Sequence, residues 1–257
     1  MKLKVDVNCD LGESYGAFKV GNDEKIMPHI TSANIACGFH AGDPITMTQT
    51  IMLAKRYNMA VGAHPGYPDL LGFGRREMQL TYEEVKTYTL YQIGALLEFA
   101  KATKVNLQHV KPHGALYNKA AEDEATAKGI VDATKIIDRN LIVFAPKNST
   151  LAKVAADAGL KVAHEFFADR NYNADGILVS RKHPQAIIND PEKVVERTVK
   201  VLKEEIVTAM TKEQVNLGKV HTICVHGDTP KAMELAKAIK KELVRIDVEV
   251  KPVGAFL

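Results

Sequence analysis

The feature that most constrains the fold is a regular alternation of short apolar runs with longer amphipathic segments. The short runs are typical of buried β-strands, and the longer segments have helical periodicity. Seven runs predict strands, at 4–8, 33–38, 59–64, 106–112, 141–146, 161–167 and 220–227. A further run at 177–182 predicts either an extra strand or an ordered loop. Helices are predicted near 45–57, 81–102, 122–138, 149–158, 191–209 and 230–243.

This alternation predicts parallel strands joined by right-handed crossover helices. Seven or eight such units in 257 residues favour one α/β domain over residues 1–257, a distorted (β/α) TIM-like barrel of mostly parallel strands. An open doubly wound sheet remains the alternative, because the pattern predicts the elements and not the closure of the sheet. Three predicted helices start with a side-chain cap followed by proline, at Asp43-Pro44, Asp190-Pro191 and Thr229-Pro230.

Composition argues against several classes of function. The net charge of +3 and the absence of a dense run of Lys and Arg argue against nucleic-acid binding. No apolar run approaches the ~18 residues that span a membrane, and no signal-peptide core is visible. The three cysteines, Cys9, Cys37 and Cys224, are widely separated, which predicts a reduced, cytoplasmic setting.

Polar side chains gather where the predicted strands end. Because strand side chains alternate between two faces, Asp6, Asn8 and Asp10 share one face of the first strand. Active sites of α/β barrels form at the carboxyl ends of the strands, so the whole set predicts a site there. The set comprises Asp10, His40, His64, Lys111, His113, Asp169, His226 and Asp228. Any single member could instead satisfy a buried backbone group.

A metal site is one chemistry that these residue types allow. Asp10, His40, His64, His113 and Asp228 are all of ligand type. However, His109 and His113 would lie ~13 Å apart along a strand, and no H-E-x-x-H motif is present. We therefore predict no tightly bound protein metal.

A thiol nucleophile and a phosphate loop are two other chemistries. Cys37 lies near His40, but a small thiol at a strand end is more often simply packed. The P-loop and dinucleotide fingerprints both fail in this sequence. In the stretch ANIACGFHAGD, at 33–43, Asn34 is predicted to face inward, and Gly38 and Gly42 would let backbone N–H groups approach a ligand.

Lys111 is predicted to face the barrel interior and therefore needs a charged partner, for which Asp10 is the candidate. Such a pair can polarise a carbonyl or hold a phosphoryl oxygen, or it can be purely structural. Arg75 lies on the glycine-rich loop LGFGRR, and Arg170 follows the sixth predicted strand. Their guanidinium groups suit a carboxylate or a phosphate. Either arginine could equally form a surface ion pair.

Seven segments resemble the LamB/YcsF family, and they extend over nearly the whole chain. They are NCDLGE (8–13), SANIACGFHAGD (32–43), GAHPGYPD (62–69), LYQIGAL (90–96), HVKPHGALYN (109–118), FADRNYNADG (167–176) and VHGD (225–228). In the first segment, Cys9 replaces the alanine that is common in the family. The resemblance implies a distorted barrel similar to those of glycoside hydrolases and polysaccharide deacetylases.

The resemblance also implies a 5-oxoprolinase activity, the ATP-dependent opening of 5-oxo-L-proline to L-glutamate, in which the family member works with two partners, subunits B and C. Asp10 or His64 would be the general base, and Lys111 and His113 would neutralise the developing oxyanion or phosphate. Arg75 or Arg170 would hold the substrate carboxylate.

The remaining predicted residues bind ligands in this scheme. Magnesium would arrive with ATP and contact Asp10, Glu13 or Asp228. Substrate or nucleotide would be contacted by Asn8, Glu13, Asn34, Gly38, His40, Asp169, His226 and Asp228. Because no P-loop is present, the nucleotide could bind at an interface with the partners or mainly on them. A metal-dependent deacetylase, with an ion on Asp10 and two imidazoles, and a non-catalytic subunit remain the alternatives.

Overall fold

Seven parallel strands close into a barrel in the computed structural model, which describes residues 2–229 and 231–257. The described residues form ten strands in all: β1 (Lys4–Leu11), β2 (Ser32–Ala36), β3 (Ala60–His64), β4 (Leu107–Val110), β5 (Ile142–Ala145), β6 (Val162–Phe167), β7 (Ile206–Thr208), β8 (Gln214–Asn216), β9 (Thr222–Val225) and β10 (Glu249–Val250). Strands β1 to β6 pair in sequence order, and β9 pairs with both β6 and β1. The closed barrel is therefore confirmed, and the open sheet is wrong.

Three strands lie outside this ring. β7 and β8 form a separate antiparallel hairpin, and β10 pairs in parallel with the first residues of β1. The run at 177–182 belongs to a loop that forms only isolated bridges.

Helices cover the outside of the barrel. They are α1 (Asp23–Ile26), α2 (Pro44–Arg56), α3 (Tyr82–Ala102), α4 (Gly114–Glu122), α5 (Glu124–Ile137), α6 (Thr150–Asp157), α7 (Pro191–Glu204) and α8 (Ala232–Arg245). Two short 3₁₀ turns occupy Met27–His29 and Val253–Ala255. Among the described residues, no helix is long and apolar enough to cross a membrane.

Two of the predicted helix starts are present in the structure. Asp43 accepts a hydrogen bond from the Thr46 backbone N–H at 2.8 Å, and Asp190 caps α7 in the same way. The third, at Thr229-Pro230, includes a residue outside the described ranges. The helix predicted at 191–209 ends at Glu204, and the chain then enters the β7–β8 hairpin.

Alternate side chains along β1 lie in two different environments. Val5, Val7 and Cys9 belong to the main hydrophobic core, whereas Asp6 and Asn8 are fully buried in hydrogen-bonded contacts with neighbouring strands. The barrel interior is therefore polar, and this polar column leads to the carboxyl ends of the strands.

Gly62 on β3 lies against a filled part of this interior. A Cβ atom there would overlap the ring of His109, which is fully buried and stacks on Phe144 with a centroid distance of 4.2 Å. We expect Gly62→Ala to lower the free energy of unfolding by at least about 2 kcal/mol, because an overpacked core cannot relax. Gly94 in α3 is the matched control: its Cβ would meet only Ile137, at 3.9 Å. Gly94→Ala is expected to raise the free energy of unfolding by about 0.5–1 kcal/mol. Urea titration of both variants tests this. Equal changes in the free energy of unfolding would contradict the close contact between Gly62 and His109.

Candidate active site

Lys111 is the centre of the buried polar cluster at the carboxyl ends of the strands. Its Nζ lies 2.8 Å from Asp10 Oδ1 and 3.1 Å from Glu165 Oε1. The same ammonium group donates to Asn8 Oδ1 at 3.3 Å and to Cys224 Sγ at 3.0 Å. The pairing of Lys111 with Asp10 that the sequence suggested is present, and Glu165 is a second carboxylate beside it.

These charges stabilise one another. Burial acts to raise the pKa of Asp10, but its interactions with His64 and Lys111 outweigh burial and hold that pKa well below its usual value. Burial acts to lower the pKa of Lys111, but the charges of Asp10 and Glu165 hold it well above its usual value. Asp10 is therefore an anion and Lys111 a cation at neutral pH.

A layer of amides fixes these groups from below. Asn8 Nδ2 donates to Glu165 Oε1 at 2.9 Å and to Thr222 Oγ1 at 2.7 Å. Asn8 Oδ1 accepts from Asn34 Nδ2 at 2.7 Å, and Asn34 Oδ1 lies 2.7 Å from His109 Nε2. Because every amide has partners on other strands, this layer holds the ion pair rigidly.

A second cluster joins Glu13, His40, His64 and His113. Glu13 Oε1 lies 3.4 Å from His113 Nδ1 and 3.5 Å from His40 Nε2, and His64 Nε2 lies 2.9 Å from His113 Nδ1. Burial raises the pKa of Glu13 and lowers those of His40 and His113, in each case far from the usual value. His64 Nε2 is also 3.4 Å from Asp10 Oδ2, so the two clusters adjoin.

Five further ionisable side chains lie in the loops after β3, β6 and β9. Asp169 Oδ1 lies 2.9 Å from His226 Nδ1, and Arg75 Nη2 lies 2.6 Å from Asp228 Oδ2. Burial acts to raise the pKa of Asp169, but His226 outweighs it and the pKa is lowered. Arg170 is buried, donates to the Val179 carbonyl at 2.6 Å, and has no partner for its Nε among residues 2–229 and 231–257.

A cavity of about 980 Å³ opens over this cluster. Its lining includes Asp10, His64, Lys111, His113, Glu165, Phe167, Arg170, Tyr172 and His226. Basic side chains that also line it are Arg75, Arg76, Lys119, Lys147, Arg181 and Lys182. The lining also includes the acidic side chains of Glu77, Glu122 and Asp175, which are fewer than the basic ones. This volume accommodates a small organic substrate, and the excess of basic groups favours an anionic one.

The structure separates the predicted site residues into two groups. All four predicted catalytic residues line the cavity, as do Arg75, Arg170 and His226. The lining leaves out Asn8, Glu13, Asn34, Gly38, His40, Asp169 and Asp228. Most of these seven side chains contact their neighbours within the protein, and direct contact with the substrate or the nucleotide stays a prediction for them.

Gly38 and His40 illustrate the difference. The Gly38 N–H donates to the Ala41 carbonyl at 2.9 Å, so it is used inside the loop and is not directed at the cavity. His40 is 1% exposed and lies behind His113, with the two rings stacked at a centroid distance of 3.8 Å.

Two residues of the cluster were missed by the sequence analysis. Glu165 bridges Lys111 and Tyr117, whose hydroxyl donates to Glu165 Oε2 at 2.7 Å. The period of two that connects Asp169 to the sixth strand, continued backwards, selects Glu165 and would have found it. Tyr117 lies on α4, which was not predicted.

The cysteines are packed within the protein. All three are free and buried, and burial raises the pKa of Cys37 to about 12. The Cys37 thiol donates to the Ile35 carbonyl at 3.2 Å, which matches a packed thiol and not a thiolate.

The buried carboxyl group of Asp6, beneath the site, should make the free energy of unfolding depend on pH. Burial raises its pKa to about 6, although hydroxyl groups of Thr222, Thr31 and Ser32 act to lower it. Between about pH 4 and 6 the folded state therefore keeps a proton that the unfolded state releases, so stability falls as pH rises. The Asp6→Asn variant lacks this loss. Its free energy of unfolding, relative to that of wild type, is therefore expected to rise by about 2 kcal/mol between pH 4 and pH 7.5. Urea unfolding of wild type and variant at both pH values tests this. A difference between their free energies of unfolding that does not change with pH would contradict it.

Comparison with known proteins shows the family to which the chain belongs. The model of the LamB/YcsF family matches residues 5–257. The chain belongs to this family. The A subunit of 5-oxoprolinase from Pyrococcus abyssi is 55% identical over 255 residues, which cover 99% of this chain and 100% of that protein. The protein of the same name from Fusobacterium nucleatum is 50% identical over 257 residues and covers both chains fully.

Two solved structures share the fold of this chain. The lactam utilization protein from Thermus thermophilus is 46% identical, with a TM-score of 0.91, over 97% of this LamB/YcsF chain and 99% of that one. A putative cellobiose-phosphate cleavage protein from Enterococcus faecalis V583 is 11% identical, with a TM-score of 0.61, over 99% of each chain. The second likeness concerns the fold alone.

Proposed function

We propose that this chain is the A subunit of an ATP-dependent 5-oxoprolinase and that it carries the lactam site. The observation that carries the proposal is the buried Asp10–Lys111 ion pair lining a cavity that Arg170 also lines. The names of the relatives, 5-oxoprolinase and lactam utilization protein, point to the same substrate class.

The substrate has two groups that these side chains fit. A five-membered lactam resists hydrolysis because its amide is stabilised by resonance, and negative charge develops on the amide oxygen as the bond is attacked. Lys111, held as a cation, stabilises that charge from a fixed position. Arg170 lines the cavity and forms no ion pair among the described residues, so its guanidinium group is suited to the substrate carboxylate. Arg75 is the weaker choice, since Asp228 already neutralises it.

The Asp169–His226 pair is the group best suited to activate water. Asp169 holds His226 Nδ1 as an N–H donor, so the neutral ring has an unprotonated Nε2. His226 lines the cavity, whereas Asp10 is neutralised by Lys111 and His64 Nε2 faces His113. This arrangement replaces Asp10 and His64 as our candidates for the general base.

ATP would phosphorylate the amide oxygen and release ADP. Water activated by His226 would then add to the carbonyl carbon, and the C–N bond would break as the nitrogen takes up a proton, which gives γ-glutamyl phosphate. A second water would hydrolyse this acyl phosphate to glutamate and phosphate.

The basic lining of the cavity suits the phosphates of ATP, with Lys147, Arg181 and Lys182 as the residues to hold them. The expected magnesium ligands fit less well: Asp10 pairs with Lys111, Glu13 joins the histidine cluster and Asp228 pairs with Arg75. We therefore place the magnesium ligands on the nucleotide and on the two partner subunits, B and C.

The proposal is tested by assaying glutamate and ADP formation from 5-oxo-L-proline with all three subunits and with each one omitted. We expect both products only in the complete mixture. A complete, assembled mixture that forms no glutamate would contradict the proposal. The deacetylase alternative needs an ion on Asp10, and Lys111 occupies that position.

A further inference from the structure

The cluster of Glu13, His40, His64 and His113 has no role in the lactam chemistry described above. All four side chains are buried, with exposures of 4%, 1%, 1% and 4%. One ligand atom from each lies within 4.8 Å of the others. Burial of three imidazoles and a carboxylate away from water costs free energy unless these groups have partners.

The tautomers of two rings follow from their backbone partners. His64 Nδ1 lies 2.6 Å from the Lys111 carbonyl oxygen, and His113 Nε2 lies 2.8 Å from the Phe73 carbonyl oxygen. A carbonyl oxygen only accepts, so both of these nitrogens carry hydrogen. When both rings are neutral, two bare nitrogens, His64 Nε2 and His113 Nδ1, face each other across 2.9 Å. Two facing lone pairs repel unless a positive species lies between them.

Other atoms of the cluster also lack partners. Glu13 Oε1 and both ring nitrogens of His40 are buried without a hydrogen bond to any part of the chain that the structure describes. Buried polar atoms without partners cost free energy and are uncommon in folded proteins. One shared proton would satisfy His64 and His113, but it would leave Glu13 and His40 unsatisfied.

A metal cation would satisfy the whole cluster. Zinc bonds of 2.0–2.1 Å in a tetrahedron imply ligand atoms about 3.3 Å apart. Three of the six separations between the ligand atoms are 2.9, 3.4 and 3.5 Å, and all six lie within 4.8 Å. In addition, metal-binding histidines usually donate their second N–H to a carbonyl or a carboxylate, as His64 and His113 do here.

We propose that Glu13, His40, His64 and His113 form a binding site for a divalent transition-metal ion of the Zn²⁺ type. Imidazole and carboxylate ligands suit this class of ion. The ring of His40 is stacked parallel to that of His113, which makes His40 the weakest of the four ligands. The site adjoins Asp10, so a bound ion would fix the wall of the cavity.

The neighbouring group of Asp10, Cys224 and His226 also converges, but it does not bind a metal in this account. The Lys111 ammonium lies 2.8 Å from Asp10 and 3.0 Å from Cys224 and already supplies the positive charge. The two clusters therefore divide the site, one around an ammonium group and one around a metal ion.

The test uses the full chain, stripped with a chelator and titrated with Zn²⁺ against a chromogenic competitor, and with Co²⁺ for its absorption bands. We expect one equivalent of either ion and Co²⁺ bands of tetrahedral intensity. Glu13→Gln and His113→Ala should each weaken Zn²⁺ binding at least about 100-fold, and His40→Ala should weaken it less. His221→Ala is the matched control, because His221 and His164 form the other close histidine pair, and it should leave the affinity unchanged.

A measurement on the wild-type chain keeps the test valid if a variant does not fold. Saturating Zn²⁺ should raise its Tm, since a ligand that binds only the folded state stabilises it. Less than about a tenth of an equivalent of bound ion, or unchanged affinity in folded Glu13→Gln, would overturn the proposal. In that case the cluster holds a proton and not a metal.

Discussion

Replacing Lys111 with methionine is expected to lower glutamate formation by the assembled complex at least 100-fold. Lys111 is the one ammonium group that contacts both Asp10 and Glu165, within 3.1 Å, among the residues that the structure describes. Its loss removes the charge that stabilises the lactam oxyanion, an effect of about 10²–10³ in kcat. The measurement is steady-state glutamate formation at saturating ATP and 5-oxo-L-proline.

The same change should also destabilise the chain. Without Lys111, Asp10 and Glu165 remain as buried charges without their cation, at a cost of about 3–5 kcal/mol in the free energy of unfolding. Adding Glu165→Gln removes one of these charges and should recover part of the stability but none of the activity. Lys153→Met, at an exposed lysine on α6, is the control and should change neither. Wild-type activity in an assembled Lys111→Met complex would show that this chain only supports its partners.

Asp169→Asn is expected to lower kcat about as much as His226→Gln, by about 10²–10⁴. Asp169 holds His226 Nδ1 at 2.9 Å, and an asparagine amide at that position can present its NH₂ and reverse the tautomer of the ring. Because the two residues act as one unit, the double variant should be no slower than either single variant. Rates of all three variants in the assembled complex measure this.

A structural role for the pair would give a different pattern. If Asp169 and His226 only join β6 to β9, both variants would lower Tm, but kcat would stay close to that of wild type in a complex that remains folded and assembled. His164→Gln is the matched control, since that histidine also lies on β6 but outside the cavity lining, and its kcat should remain unchanged.

The sequence was sufficient to predict the barrel because each strand has an apolar run and most helices have a start signal. α4 was missed because its start has no such signal: His113 makes no side-chain cap, and Gly114 follows at a φ of 53°. The β7–β8 hairpin was missed because the C-cap of α7 is Glu205, a non-glycine residue with a φ of 60°. In both places the backbone conformation depends on tertiary contacts and not on the local residue type.

The candidate site was predictable in part for the same reason. The period of two along β1 and β4 selects Asp10 and Lys111, and the register of the strands brings them together. No periodicity extends through the loops after β1 and β2, which carry Glu13 and His40. Their convergence with His64 and His113 therefore emerges only from the folded chain.

The most direct test of the account is a crystal structure of this chain, or of the complex, with 5-oxo-L-proline bound. We predict the lactam in the cavity, with its amide oxygen within hydrogen-bond distance of Lys111 Nζ and its carboxylate at Arg170. A lactam bound only on one of the partners, or outside the cavity that Asp10 and His226 line, would contradict the account.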